Sequence, residues 1–197
     1  MRVPNETLDG QAWRIREVLG DFPLEDLWQL PDMTGTRAEF DDLLEQMTAA
    51  DPSRDAPAAV RFLWNVRDAL GRWFGLGEIA AATDEPPPES LRHNVPDDLR
   101  GTADDVHFAA LPFVPLYRTD TEFAAEVANR TMHGVMHLGW LPVGDDTFIP
   151  QMAVFVRPNG IFGRAYMQFI KPFRYAIVYP ALEKRMARQW RNRGHGS

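Results

Sequence analysis

Apolar residues recur along this chain with two different periods, and the change from one to the other divides it. Phe40, Leu43, Leu44 and Met47 fall at the i, i+3, i+4, i+7 spacing of one helix face. Thr36-Arg37-Ala38-Glu39 just before them has the spacing of a capping box, so the pattern predicts a helix over about 37–49. After the breaker Asp51-Pro52-Ser53, the stripe Val60, Leu63, Val66, Leu70 and Trp73 predicts a second helix that stops near Gly75 or Gly77. The short connection makes the two an antiparallel pair. Upstream, Trp13 to Val18 reads as a short opening edge strand, followed by a turn and an aromatic element that ends at Pro31. Residues 83–112, with TDEPPPES, Val95-Pro96 and GTADD, read as an irregular surface excursion holding at most short helices near 88–94, and as the most mobile part.

From Phe113 the period shortens to that of strands: FVPLYRT, TEFAAEVANRT, MHGVMHLGW and FIPQMAVFV, with Gly144-Asp145-Asp146 as a hairpin turn. FAAEVA also fits a helix. After Pro158-Asn159-Gly160 a long closing helix carries Phe162, Tyr166, Phe169, Phe173 and Ile177 on one face. Pro172 and Pro180 bend it, because each removes a backbone donor and crowds the preceding turn. The order is therefore strand, helix pair, consecutive antiparallel strands, long helix. It predicts a single α+β domain over 1–197 of helix-grip type, a curved antiparallel sheet wrapped on the apolar side of its C-terminal helix.

Composition narrows the chemistry. The 197 residues, 45% hydrophobic and 25% charged, are those of an ordinary globular protein large enough for one substantial core. With no cysteine there is no disulfide, thiolate metal site or cysteine nucleophile. The N-terminus lacks a basic segment followed by an apolar run, and no window is long and apolar enough to span a membrane, so a cytoplasmic location is expected. The net charge of −7 is uneven: residues 157–193 hold nine Lys or Arg against Glu183 alone. A basic segment of this kind can meet nucleic acid or anionic lipid, but the acidic body beside it favours internal charge complementarity, and nucleic acid is not expected as a partner.

The run RTMHGVMHLGW, and after it QMAVFVRPNGIFGRAYMQFIKPFRYAIVYPAL, closely resembles a bacterial family catalogued as a domain of unknown function. That family occurs alone and fused behind short-chain-dehydrogenase-like NAD(P)-binding domains. The resemblance covers nearly the whole chain and is strongest from Leu111 to Trp190. The family is in turn similar to the START/SRPBCC helix-grip superfamily, which implies a small apolar or aromatic molecule held between sheet and closing helix. Shared fold alone does not assign chemistry. No GxGxxG fingerprint stands between a strand and a helix, so no NAD or other cofactor is implied for this chain.

Candidate chemistry concentrates in the strands. His133 and His137 share a face of either a strand or a helix; on a strand they stand roughly 13 Å apart, at about 3.3 Å per residue, too far to chelate one ion, and no metal is expected. Each is either a structurally bonded core histidine or a pocket group, His137 beside Gly139-Trp140 being the better pocket candidate. With the turn near 144–146, Gln151 falls opposite His137 to Gly139, where a hydrogen bond either fixes register or anchors a ligand. Arg130 pairs with Glu122 or Glu126, or neutralises a ligand anion, with Tyr117 close by. Phe162, Tyr166 and Phe169, like Trp140, serve equally as core or as cavity wall, and Tyr166 adds a hydroxyl. No Gly-x-Ser-x-Gly elbow, P-loop or His-Glu-x-x-His motif is present.

Three functions follow from these residues. The leading one is a binding protein for a small apolar or aromatic metabolite, anchored by His133, His137, Gln151 and Tyr166. The second is an enzyme of cyclase, dehydratase or isomerase type, using His137 or His133 as general acid or base. The third, less favoured, is an interaction module whose basic C-terminal helix meets an anionic membrane surface or a protein.

Overall fold

The computed structural model describes residues 1–49, 90–128, 132–158 and 179–192. The expected helix over 60–73, the first part of the closing helix with its bend at Pro172, and the side chains of Arg130, Phe162, Tyr166 and Phe169 lie outside the described residues.

Among the described residues five antiparallel strands form one sheet: β1 (Leu24–Gln29), β2 (Val114–Arg118), β3 (Glu122–Ala128), β4 (Met132–Pro142) and β5 (Phe148–Pro158), in the order β1-β5-β4-β3-β2. Among the described residues the α-helices are α1 (Ile15–Leu19), α2 (Phe40–Thr48) and α3 (Tyr179–Asn192). The class is α+β. The described C-terminal helix is short, 14 residues.

The β4–β5 hairpin turns where the glycine and aspartates predicted it, closed by the Val143 and Gly144 N–H groups donating to the Thr147 carbonyl at 2.8 and 3.2 Å. FAAEVA, which fitted two periods, is strand β3, and six of the seven residues of β3 are buried. Both faces of β3 are covered, so the strand cannot show the polar-out alternation of a half-solvated sheet. The capping box forms: the Thr36 N–H donates to Glu39 at 2.7 Å, and a short 3-10 turn leads into α2.

The expectation for the opening segment is overturned. Trp13 to Val18 is not the opening strand; Ile15, Val18 and Leu19 are all buried on the one-turn α1. Their i, i+3, i+4 spacing is helical, and the strand lies later, at Leu24–Gln29, where Leu27 and Trp28 go to opposite faces.

Two cores flank the sheet. On one face α2 and α3 bring Phe40, Leu43, Met186 and Trp190 onto Met136, Leu138 and Trp140 of β4. The Trp140 ring stacks on Phe148 at 6.1 Å and meets Trp190 edge-on at 5.9 Å, contacts worth about 0.5–1.5 kcal/mol each beyond burial. Both indoles also hold the loop before α2, Trp140 Nε1–H donating to the Thr36 carbonyl at 2.8 Å and Trp190 Nε1–H to the Thr34 carbonyl at 2.9 Å.

The opposite face is covered by the N-terminal residues and by the chain from Ser90 onward, through Leu8, Ile15, Phe22, Leu91, Val95 and Leu99. Residues 90–106 are irregular, with short 3-10 turns at Leu91–Asn94 and Asp97–Leu99. Within them Leu91, Val95, Leu99, Ala103 and Val106 are buried, while the residues between these are exposed or half-buried. Apolar residues spaced irregularly among prolines still pack when each turn is anchored by a side chain, as Ser90 and Thr102 do here.

Candidate functional site

Alternation along β4 decides where each candidate points. The odd-numbered His133, Val135, His137 and Gly139 face the N-terminal cover; the even-numbered Met136, Leu138 and Trp140 face α2 and α3. The histidines therefore lie on the face away from the described α3. Gln151, directly opposite Gly139 in the ladder, shares their face, and so does Tyr117, opposite Ala124 on β3 after a register shift between Pro115 and Tyr117. Trp140 does not join them: it is fully buried in the other core with its indole N–H bonded.

What the histidines meet is a pair of carboxylates that the sequence reading had placed beside Arg130. His137 Nε2 lies 3.1 Å from Glu122 Oε2, and His133 Nε2 lies 2.8 Å from Glu126 Oε2. Each histidine reaches diagonally. Ala124 is opposite His137 and Ala128 opposite His133, while the glutamates stand opposite Gly139 and Val135. The small alanines leave room for the imidazoles, and the four-residue spacing in both strands repeats the arrangement twice on one face.

Burial of an ionised carboxylate is costly unless several donors meet it. Glu122, 4% exposed, accepts from the Arg14 N–H at 2.9 and 3.2 Å and from the Tyr117 hydroxyl at 2.9 Å, in addition to His137. Burial pushes the Glu122 carboxyl up, but the His137 hydrogen bond and charge, with the Arg14 and Tyr117 donors, outweigh it and hold the group below its ordinary value. Burial, reinforced by the neighbouring Glu122 charge, pushes the Tyr117 phenol far above its ordinary value. Glu126, with no exposure, accepts from the Ser90 hydroxyl and from the Leu91 N–H at 3.0 Å.

The two copies differ in their unpartnered atoms. Among the buried side-chain atoms without a hydrogen-bond partner are His137 Nδ1 and Gln151 Nε2, but no atom of the Glu126–His133 pair. Over this spot lies Trp13, whose indole N–H donates to Gln151 Oε1 at 3.0 Å and to Gln11, and whose ring is tilted 5.6 Å from that of His137. Gly139 makes this approach possible, since a Cβ there would sit 2.9 Å from the indole. Arg14 then ties the cover down, its guanidinium bonded to Glu17 and, at 2.9 Å, to Asp98 in the second covering segment.

Sequence reasoning missed Glu122 and Glu126 as site residues, and Trp13, Arg14 and Ser90 with them. The glutamates had a signal: two strands with polar residues four apart, on the same parity, put all four on one face once the β3–β4 pairing is assumed. Trp13 and Ser90 come from distant segments and had none.

The described α3 exposes Lys184, Arg188 and Arg191 along its outer side. Among the described residues no helix is long and apolar enough to cross a membrane, and no cluster of three His, Asp or Glu is placed to hold a metal ion.

Fold and site together define an α+β protein whose antiparallel sheet buries a duplicated histidine–glutamate pair beneath an N-terminal cover. The chain belongs to the family DUF2867, described as proteins of unknown function, whose model matches residues 9–181. No curated protein and no solved structure matches it significantly.

Proposed function

We propose that the chain binds a small molecule against the covered face of its sheet, at the end of β4 beneath Trp13, with His137 and Gln151 as polar anchors. The observation that carries this reading is the pair of unpartnered atoms, His137 Nδ1 and Gln151 Nε2, on two residues with no exposure. An unmet buried polar atom costs about 1–3 kcal/mol, so a ligand that meets both gains what the empty fold lacks. Apolar surroundings with a few convergent polar groups are the usual form of such a site.

Chemistry fixes the orientation of both anchors. Indole Nε1 can only donate, so the oxygen of Gln151 faces Trp13 and its NH₂ remains to donate. The Glu122 carboxylate can only accept, so Nε2 of His137 carries a proton, and in the neutral form of the ring Nδ1 is the nitrogen left to accept. The complementary ligand has an apolar or aromatic body with a carbonyl-type acceptor beside a hydrogen it can give. We place the ligand on the sheet face away from α3.

Native mass spectrometry of the protein purified from its own host tests this reading. A co-purified small molecule is expected, weakened or lost in Gln151→Met. A ligand-free protein whose Trp13 indole signal ignores a library of aromatic carbonyl compounds contradicts it.

A further inference from the structure

We infer that His137 is a general base, its Nδ1 taking a proton from the carbon beside a ligand carbonyl whose oxygen is held by Gln151 Nε2–H. This rests on the binding site proposed above and adds a reaction to it.

The two histidine–glutamate pairs supply an internal comparison. They have the same ladder offset and the same carboxylate-facing Nε2, all four residues are buried, and each glutamate is further held by one backbone N–H and one hydroxyl. Phe22 stands edge-on to His133 at 4.9 Å, and no atom of that pair is left buried without a partner. Of the two imidazoles, it is His137 that holds a fully buried nitrogen without a partner. In the neutral form of the ring this Nδ1 carries the lone pair that general-base chemistry needs.

The surroundings suit the charge that would form. As Nδ1 takes the proton, the C–H electron pair moves into a carbon–carbon double bond and the carbonyl π pair moves to oxygen. That oxygen accepts from Gln151. The imidazolium faces the ionised Glu122, which Tyr117 and the Arg14 N–H hold in place, and Trp13 covers the spot. Return of the proton to the same carbon gives exchange, and return to a conjugated position gives an isomer. No oxidant, reductant or second substrate is required. His137 and Gln151 are the catalytic residues, and Glu122 is a positioning residue that fixes the tautomer.

The test uses the full chain and two probes, acetophenone and cyclohexanone, in D₂O. Loss of their α-proton NMR signals is followed beside a control of free imidazole at equal concentration, while the Trp13 indole signal reports binding. Exchange about a hundredfold faster than the control is expected, in line with positioned general bases, with His137→Gln falling to the control rate. Glu122→Gln is expected to lower kcat with KM nearly unchanged, which loss of packing alone would not do. Because wild type against free imidazole needs no variant, a failure of His137→Gln to fold leaves the result readable. A ketone that shifts the Trp13 signal yet exchanges at the control rate overturns the base and leaves the binding site standing. Ketones that neither bind nor exchange overturn both.

Discussion

Glu122 and His137 meet at 3.1 Å although neither is the other's ladder partner: Glu122 stands opposite Gly139, and His137 opposite Ala124. The diagonal is open because both residues directly opposite are small. It also leaves the space over Gly139 to Trp13, so that one offset builds the buried pair and the cover above it.

Removing the carboxylate leaves the Arg14 N–H, the Tyr117 hydroxyl and His137 facing an empty place. Glu122→Ala is expected to cost about 3–5 kcal/mol, as removal of one member of a buried charged pair does, and Glu122→Gln less, since its amide oxygen still accepts. Urea unfolding of both variants measures this, and equal losses would show that the charge is irrelevant.

The pH dependence has a definite sign. Because the folded Glu122 carboxyl is held below its ordinary value of 4.5, its stabilisation is complete above that value and is lost as pH falls through the folded one. The stability gap between wild type and Glu122→Gln should therefore shrink as pH drops from neutrality to below 4.5. A gap independent of pH would contradict the assignment of Glu122 as ionised.

Tyr117 should not form a phenolate while the protein is folded, because burial and the neighbouring Glu122 both oppose it. Alkaline ultraviolet titration of wild type and Tyr117→Phe should agree until unfolding begins. Tyr117→Phe itself is expected to cost about 1.5–3 kcal/mol, the worth of a hydrogen bond to a charged acceptor.

Two glycines of β4 provide a matched pair. A Cβ at Gly134 would meet Met132 Sδ at 3.4 Å, ordinary contact, whereas at Gly139 it would meet the Trp13 ring at 2.9 Å. Gly134→Ala is expected to be neutral or to stabilise by up to about 1 kcal/mol. Gly139→Ala should cost about 1–3 kcal/mol by overpacking and displace Trp13 from Gln151. Denaturation together with the Trp13 indole proton shift checks both, and similar behaviour of the two variants would mean that Trp13 does not cover Gly139.

Much of this was legible in the sequence where local rules act alone. The Thr36–Glu39 capping box, the turn at 144–146 and the placement of Gln151 opposite Gly139 needed only spacing and turn chemistry. The opening strand was misplaced because Trp13 and Ile15 alternate by chance while Ile15, Val18 and Leu19 carry the helical period. Parity could have separated Trp140 from the histidines, since residues an odd number apart on a strand face opposite ways. The identity of the cover could not be read: Trp13 lies 138 residues from Gln151, and Ser90 lies 36 from Glu126, with no periodicity linking them.

The central claim, that His137 rather than His133 presents an unbonded nitrogen to a ligand, is tested most directly by long-range proton–nitrogen NMR of the histidine side chains. The expected spectrum shows His137 protonated on Nε2 with a bare Nδ1, and that Nδ1 signal alone moves when an aromatic carbonyl compound is added. A spectrum in which His137 Nδ1 carries the proton and Nε2 is bare, or in which no added compound moves it, would contradict the claim.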